Sequence, residues 1–179
     1  MEMFLKNSAL LIIDMQNGLF HSDDPPYQAN RLLKNILQLI DFYKKESLPI
    51  VLVRHIGKAN TPLATDHHFT QIIPEIMNYQ QFDIILEKTT PSCFYKTDLA
   101  EFLKRLSIKH LVITGLKSDY CIDTTCRIAF EKDYKITLIK DAHSTVNNSF
   151  LSAEKIIEHH NTILGNAFVN LKTTNEFMQ

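Results

Sequence analysis

Four shortages in the 179-residue sequence each remove a class of function. It has only 4 Gly, and neither Gly-x-Gly-x-x-Gly nor a Walker-type run occurs, so a phosphate-cradling nucleotide site is not expected. It has 3 Cys, at Cys93, Cys121 and Cys126, an odd number without a Cys-x-x-Cys spacing. That argues for free thiols and against a disulfide framework or a dithiol redox motif. It has no excess of one charge: 19 Lys plus Arg stand against 20 Asp plus Glu. Such balance gives no electrostatic reason to bind nucleic acid or an anionic membrane. No apolar run approaches the ~20 residues that span a bilayer, and residues Met1 to Lys6 lack the basic-then-apolar order of a secretory signal. The expectations are a cytoplasmic protein that acts on a small molecule, with no cofactor, no nucleic acid and no membrane partner.

The length suits one domain spanning residues 1–179, large enough to bury its own core. Strand-like and helix-like segments alternate. Ser8 to Ile13 is a continuous apolar run ending at Asp14. Pro49 to Arg54 is short and β-branched, Phe82 to Leu86 leads into Glu87 and Lys88, His110 to Thr114 ends at Gly115, and Lys135 to Ile139 leads to Asp141. Residues Ala167 to Leu171 are a candidate last strand. Residues 28–46 carry Leu32, Leu33, Ile36, Leu37 and Ile40 at helical spacing, and residues 97–106, 121–132 and 150–164 also read as helices. Continuous apolar strands separated by helices predict an α/β fold, a mostly parallel sheet covered on both faces. Such sheets place their sites beyond the carboxyl ends of the strands. Asp14, Lys88 and the Gly115–Cys121 loop all follow candidate strands, so they are expected to converge on one edge. The polar stretch from His55 to Ile73 reads as a long loop over that edge.

The residues at that edge are chemically complementary. Cys121 follows a strand, a glycine turn and Ser118-Asp119, and reads as the opening of a helix, where the helix dipole favours thiolate. The bland alternative is a small buried apolar side chain. Lys88 has the charge to hold a thiolate, or is an ordinary solvated lysine. Asp14 has the chemistry to accept a thiol proton and return it to a leaving amine, or is a turn-forming Asp. Each alone is weak; the three together at strand ends are harder to dismiss.

The segments Leu11-Ile12-Ile13-Asp14-Met15-Gln16-Asn17, Glu87-Lys88 through Ser92-Cys93-Phe94, and Ile113 through Cys121-Ile122 resemble, in order and spacing, the signatures of the isochorismatase-like cysteine hydrolases. Asp141, Ser144-Thr145 and His160-Asn161 resemble later features of that family. The resemblance spans nearly the whole chain. It implies a three-layer α/β/α sandwich of Rossmann-like type, a catalytic set of Asp14, Lys88 and Cys121, and a cis peptide at Leu116-Lys117. That cis peptide would aim the Lys117 and Cys121 N–H groups at an oxyanion, with Ser118 standing where Thr is common. It also implies a homodimer or homotetramer. By family position Phe20 and Phe94 wall a substrate pocket, although both are equally plausible core aromatics. The implied reaction is hydrolysis of a small carboxamide or related C–N bond through a thioester.

The pattern also departs from its relatives. Nicotinamidases of this superfamily carry an Asp-x-His element and a further His as metal ligands. Here the region reads Val53-Arg54-His55-Ile56, without the Asp. Adjacent histidines such as His67-His68 seldom reach one metal, and they read as a solvated loop, so no metal site is expected. His159-His160 reads as the end of a helix. Cys126 reads as packing, and Cys93 as either a pocket border or ordinary core. Isochorismatases proper cleave a vinyl ether without a cysteine nucleophile. An ether hydrolase and a catalytically silent metabolite-binding protein are therefore the alternatives.

Overall fold

A computed structural model describes residues 6–80 and 82–179. Six strands, β1 (Ser8–Ile13), β2 (Ile50–His55), β3 (Ile84–Lys88), β4 (His110–Leu116), β5 (Lys135–Ser144) and β6 (Asn170–Lys172), form one sheet in the order β3-β2-β1-β4-β5-β6. All five pairings are parallel. The chain runs outward from β1 on one side, then returns to lay β4 against the other side of β1. That reversal of direction lies between β1 and β4, where an open α/β sheet leaves a crevice at its carboxyl end.

Alternation along the strands divides the core in two. Ala9, Leu11 and Ile13 of β1 face one way, with Val51, Val53, Leu111 and Ile113. They are covered by α4 (Leu99–Arg105), α5 (Asp123–Glu131) and α6 (Ala153–Ala167) through residues such as Leu103, Cys126 and Leu164. Leu10 and Ile12 face the other way, against α2 (Ala29–Lys45) through Leu32, Ile36, Leu39 and Ile40, and against α7 (Thr174–Met178) through Phe177. Two further one-turn helices, α1 (Asn17–Phe20) and α3 (Pro74–Met77), flank the carboxyl edge. The parallel sheet covered on both faces that the alternation predicts, and the three-layer sandwich that the resemblance implies, are the observed fold.

Several boundaries differ from the sequence reading. β3 begins two residues later than expected and includes Lys88 as its last residue, in register with His55 of β2. β5 runs on to Ser144, because a shift in the pairing between Ile113 and Gly115 lets Gly115 pair with His143 and Leu116 with Ser144. The helix expected from residue 121 starts at Asp123; Ser118–Ile122 form a wider π turn ahead of it. His159-His160 lies within α6, not at its end. The terminal helix α7, closed by a reciprocal Thr173–Glu176 capping box, was not anticipated. Among the described residues no helix is long and apolar enough to cross a membrane.

Gly115 pairs with Ile13 where β4 packs tightly against β1. Its φ is +113°, and a Cβ there would lie 2.1 Å from the Ile13 carbonyl oxygen. Both the conformation and the space require glycine. Gly115→Ala is expected to cost more than about 2 kcal/mol. Urea denaturation measures it, and a wild-type midpoint would contradict the close approach.

Candidate active site

The carboxyl edge gathers side chains from four strands. Asp14 follows β1 directly, with a left-handed φ of 54° that Asp tolerates better than most residues. His55 and Lys88 end β2 and β3. Cys121 lies in the π turn after β4, and such irregular turns are frequent at functional sites. The peptide bond Leu116-Lys117 is cis, at the position expected from the resemblance. Ser118 is buried beside it.

Lys88 is the hub. Its side chain has no exposed surface, and its ammonium carries three N–H donors that meet three acceptors. These are Asp14 Oδ2 at 2.8 Å, Cys121 Sγ at 3.2 Å and His55 Nδ1 at 3.3 Å. Burial alone would lower the Lys88 pKa, but the Asp14 carboxylate and the two nearby cysteine sulfurs outweigh it and the net shift is upward. Lys88 is therefore a fixed cation. Because an ammonium only donates, His55 must present a lone pair at Nδ1 and carry its proton on Nε2. Burial and the Lys88 charge both lower the His55 pKa, which keeps that neutral form. The other Asp14 oxygen, Oδ1, is buried without a hydrogen-bond partner.

The thiol differs from the sequence expectation. Burial is the main cause, and the Asp14 charge the next, that push the Cys121 pKa up to about 12, against the pull of Lys88. Both causes favour the thiol, the opposite direction to the thiolate inferred from a helix start. The π turn at Ser118–Ile122 runs directly into α5, so Cys121 does lie in the first turn of a helical stretch; burial and the Asp14 charge outweigh what that start supplies.

Asp14, Cys121, His55 and Lys117 line a cavity of about 350 Å³ together with Gln16, Gly18, Leu19, Leu63, Phe69, Pro91 and Tyr120. Gln16 closes one side by bonding both main-chain groups of His55: Oε1 accepts from His55 N at 2.7 Å, and Nε2 donates to His55 O at 2.9 Å. Leu63 and Phe69 come from the loop expected to cover the edge. Neither Phe20 nor Phe94 lines this cavity. Phe20 packs in the core layer of α2, and Phe94 stacks on Tyr134 with ring centroids 5.8 Å apart. Both are core aromatics: Gly18, Leu19 and Pro91 of the same segments line the cavity, while the two rings pack into the core layers. Cys93 and Cys126 are fully buried in the other layer. The sequence reading missed Gln16, Leu63, Phe69, Pro91 and Tyr120 as lining residues. It considered His55 only as a broken metal motif, although His55 ends a strand just as Lys88 does.

The other histidines have separate partners. His67 Nδ1 accepts from Phe69 N at 3.1 Å, and His68 lies beside Asn17. Among the described residues no group of three or more His, Cys, Asp or Glu is placed to hold a metal ion. His143 is buried behind the π turn that carries Cys121. Its Nδ1 lies 2.8 Å from Ser118 Oγ and its Nε2 lies 2.9 Å from Asn161 Oδ1. With Nε2–H donating to Asn161, Nδ1 accepts from the Ser118 hydroxyl. The turn is thereby tied to α6 from behind.

With this geometry in view, the relatives are informative. The isochorismatase domain family matches residues 8–166. Nicotinamidase 3 of Arabidopsis thaliana is 33% identical over 165 residues, covering 83% of this chain and 78% of its own. The isochorismatase-family protein YddQ of Bacillus subtilis is 26% identical over 96% of this chain and 99% of its own. Among solved structures, an isochorismatase from Pseudomonas putida superposes with a TM-score of 0.87 at 27% identity, covering 96% of this chain and 90% of its own. A cysteine hydrolase from Pseudomonas syringae shares the fold at TM-score 0.89 and 21% identity, over 97% of this chain and 91% of its own.

Two measurements follow from the buried groups. Lys88→Met leaves Asp14 buried without its cation and is expected to cost about 3–5 kcal/mol at neutral pH, read by urea denaturation. A loss below about 1 kcal/mol would mean the pair is not desolvated. Burial lowers the His143 pKa from 6.5 to about 4. The unfolded chain therefore binds a proton that the native chain refuses, so stability falls as pH drops from about 6.5 to about 4. His143→Gln should flatten that part of the stability–pH curve by up to about 3 kcal/mol. An unchanged slope would show that His143 does not titrate this way.

Proposed function

The chain belongs to the isochorismatase family, a family of hydrolases, and we propose that within it this protein is a cysteine-dependent amidohydrolase of small carboxamides. The observation that carries the reading is the buried Lys88 ammonium, 2.8 Å from Asp14 and 3.2 Å from Cys121, both of which line a small cavity. The roles are assigned as follows. Asp14 Oδ1, the unpartnered oxygen, takes the proton from the Cys121 thiol as Sγ attacks the amide carbonyl carbon. The carbonyl π pair moves onto oxygen, and the Lys117 and Cys121 N–H groups of the cis-peptide turn receive the oxyanion. As the carbonyl re-forms, the C–N bond breaks and Asp14 returns the proton to the departing amine. Water then adds to the thioester with Asp14 as base. The C–S bond breaks, and the proton goes back to sulfur.

Lys88 keeps one role throughout, as the counter-ion of whichever partner is anionic. A thiol that rests protonated fits this sequence, because the attacking thiolate forms only when a base is in place to take its proton. The same reading makes the protein a cytoplasmic enzyme, with three free thiols that stay reduced there. It also makes it a homodimer or homotetramer, for which Phe150, 91% exposed beside Leu151, is apolar surface to cover.

The test is ammonia release from a panel of small primary amides, nicotinamide among them, with intact-protein mass spectrometry. Turnover should drop by about 10³-fold or more in Cys121→Ala. Wild-type protein quenched during turnover should carry the acyl mass on the Cys121 peptide. Asp14→Asn should abolish turnover while remaining folded. Full ammonia release by Cys121→Ala would overturn the thioester route; no ammonia release from any amide by wild type, with vinyl-ether cleavage that survives Cys121→Ala, would favour the ether-hydrolase alternative, in which Asp14 acts without the thiol.

A further inference from the structure

We infer that the substrate's non-reacting end carries a carboxylate, received by Lys117 and His55; this rests on the amidohydrolase reading of the same cavity. The argument is an inventory of what the cavity's side chains still offer. Gln16 is saturated: Oε1 accepts from His55 N, and Nε2 donates to the His55 and Thr70 carbonyls, both at 2.9 Å. Asp14 Oδ2 is held by Lys88, and the chemistry claims Oδ1. All three Lys88 donors are occupied. His55 has its Nδ1 held by Lys88, which leaves Nε2–H, and it makes no hydrogen bond to a described residue. Lys117 lines the cavity, and among the described residues no carboxylate pairs with its ammonium. The Tyr120 hydroxyl, on an exposed residue, serves either way. The unmet side-chain groups are donors.

Charge points the same way. Asp14 and Lys88 cancel as a contact pair, the Cys121 thiol is neutral, and so is His55. Lys117 is left as the uncompensated charge of the lining. The walls are Leu19, Leu63, Phe69 and Pro91, apolar side chains that offer a charged tail no polar partner in competition with Lys117 and His55. A carboxylate satisfies the imidazole N–H and the ammonium together. An alkyl tail leaves both donors unmet, and an ammonium tail meets Lys117 as a like charge and finds no side-chain acceptor.

Three amides of matched length separate these cases: succinamate, butyramide and β-alaninamide, with anionic, apolar and cationic tails. Binding is measured by NMR titration to the Cys121→Ala protein, and kcat/KM by ammonia release with wild type. Succinamate is expected to bind at least about tenfold tighter than butyramide, and β-alaninamide weakest. The succinamate preference should fall when salt is raised from about 0.05 to about 0.5 M. Lys117→Met should remove the preference, and Lys117→Arg should keep it. His55→Asn, which retains an acceptor for Lys88 but lacks the distal N–H, should reduce it. Equal or undetectable binding of the three amides, or a preference that survives Lys117→Met, overturns the inference. Binding in the expected order without turnover of any amide supports it while overturning the amidohydrolase reading. Equal turnover of all three does the reverse.

Discussion

The arrangement of the carboxyl edge depends on one desolvated cation. An ammonium buried as deeply as Lys88 is tolerated only where every N–H has an acceptor. Its three acceptors come from three other segments: the end of β1, the end of β2 and the turn after β4. Losing any one of them leaves a buried donor unmet, at about 1–3 kcal/mol or more for a charged group. The cation therefore specifies the relative positions of Asp14, His55 and Cys121 more sharply than apolar packing does. Leu, Ile and Val in the two core layers fix the sheet, but they tolerate small shifts. A three-acceptor ammonium does not.

That requirement explains features that look unrelated. The register of β2 against β3 places His55 beside Lys88, so one slipped residue would turn one of them to the wrong face. Gly115 lets β4 approach β1 closely enough to bring the following turn over Asp14. Gln16 grips both main-chain groups of His55 and so holds the imidazole at the hydrogen-bonding distance its tautomer needs. His143 braces Ser118 from the opposite side. In each case a polar contact or a glycine supplies precision where the sheet alone supplies only approximate placement.

Much of this was legible in the sequence, for a physical reason. Continuous apolar runs such as Ser8–Ile13 read as buried parallel strands, and parallel sheets put chemistry at their carboxyl ends, so Asp14, Lys88 and Cys121 could be placed on one edge before any coordinates. What stayed hidden depends on distances between segments. The protonation state of Cys121 follows from its burial and from Asp14, neither of which its local sequence reports; the helix-start argument gave the wrong direction. Family position points Phe20 and Phe94 toward the pocket, but Phe20 packs into the core layer of α2 and Phe94 stacks on Tyr134, a partner remote in sequence. His55 was measured against a metal motif it does not complete, and its hydrogen bond to Lys88 spans 33 residues. The β5 extension follows from a pairing shift between Ile113 and Gly115 that carries no local signature.

The protonated resting thiol also bears on why the proposed chemistry is feasible in a buried site. Creating a thiolate in an apolar environment is expensive in itself, which is why burial raises the Cys121 pKa. Transfer of the proton from Cys121 to Asp14, however, creates no net charge. It moves a negative charge from Asp14 to Sγ, and both atoms are hydrogen-bond partners of the same ammonium, at 2.8 and 3.2 Å. Lys88 is the counter-ion before the transfer and after it, and does not need to move. The cost that remains is the difference between two contacts to one cation, far smaller than the cost of an isolated buried thiolate. On the proposed mechanism, Lys88 therefore acts less by lowering the thiol's resting pKa than by keeping the electrostatic energy of the site nearly level while the proton crosses.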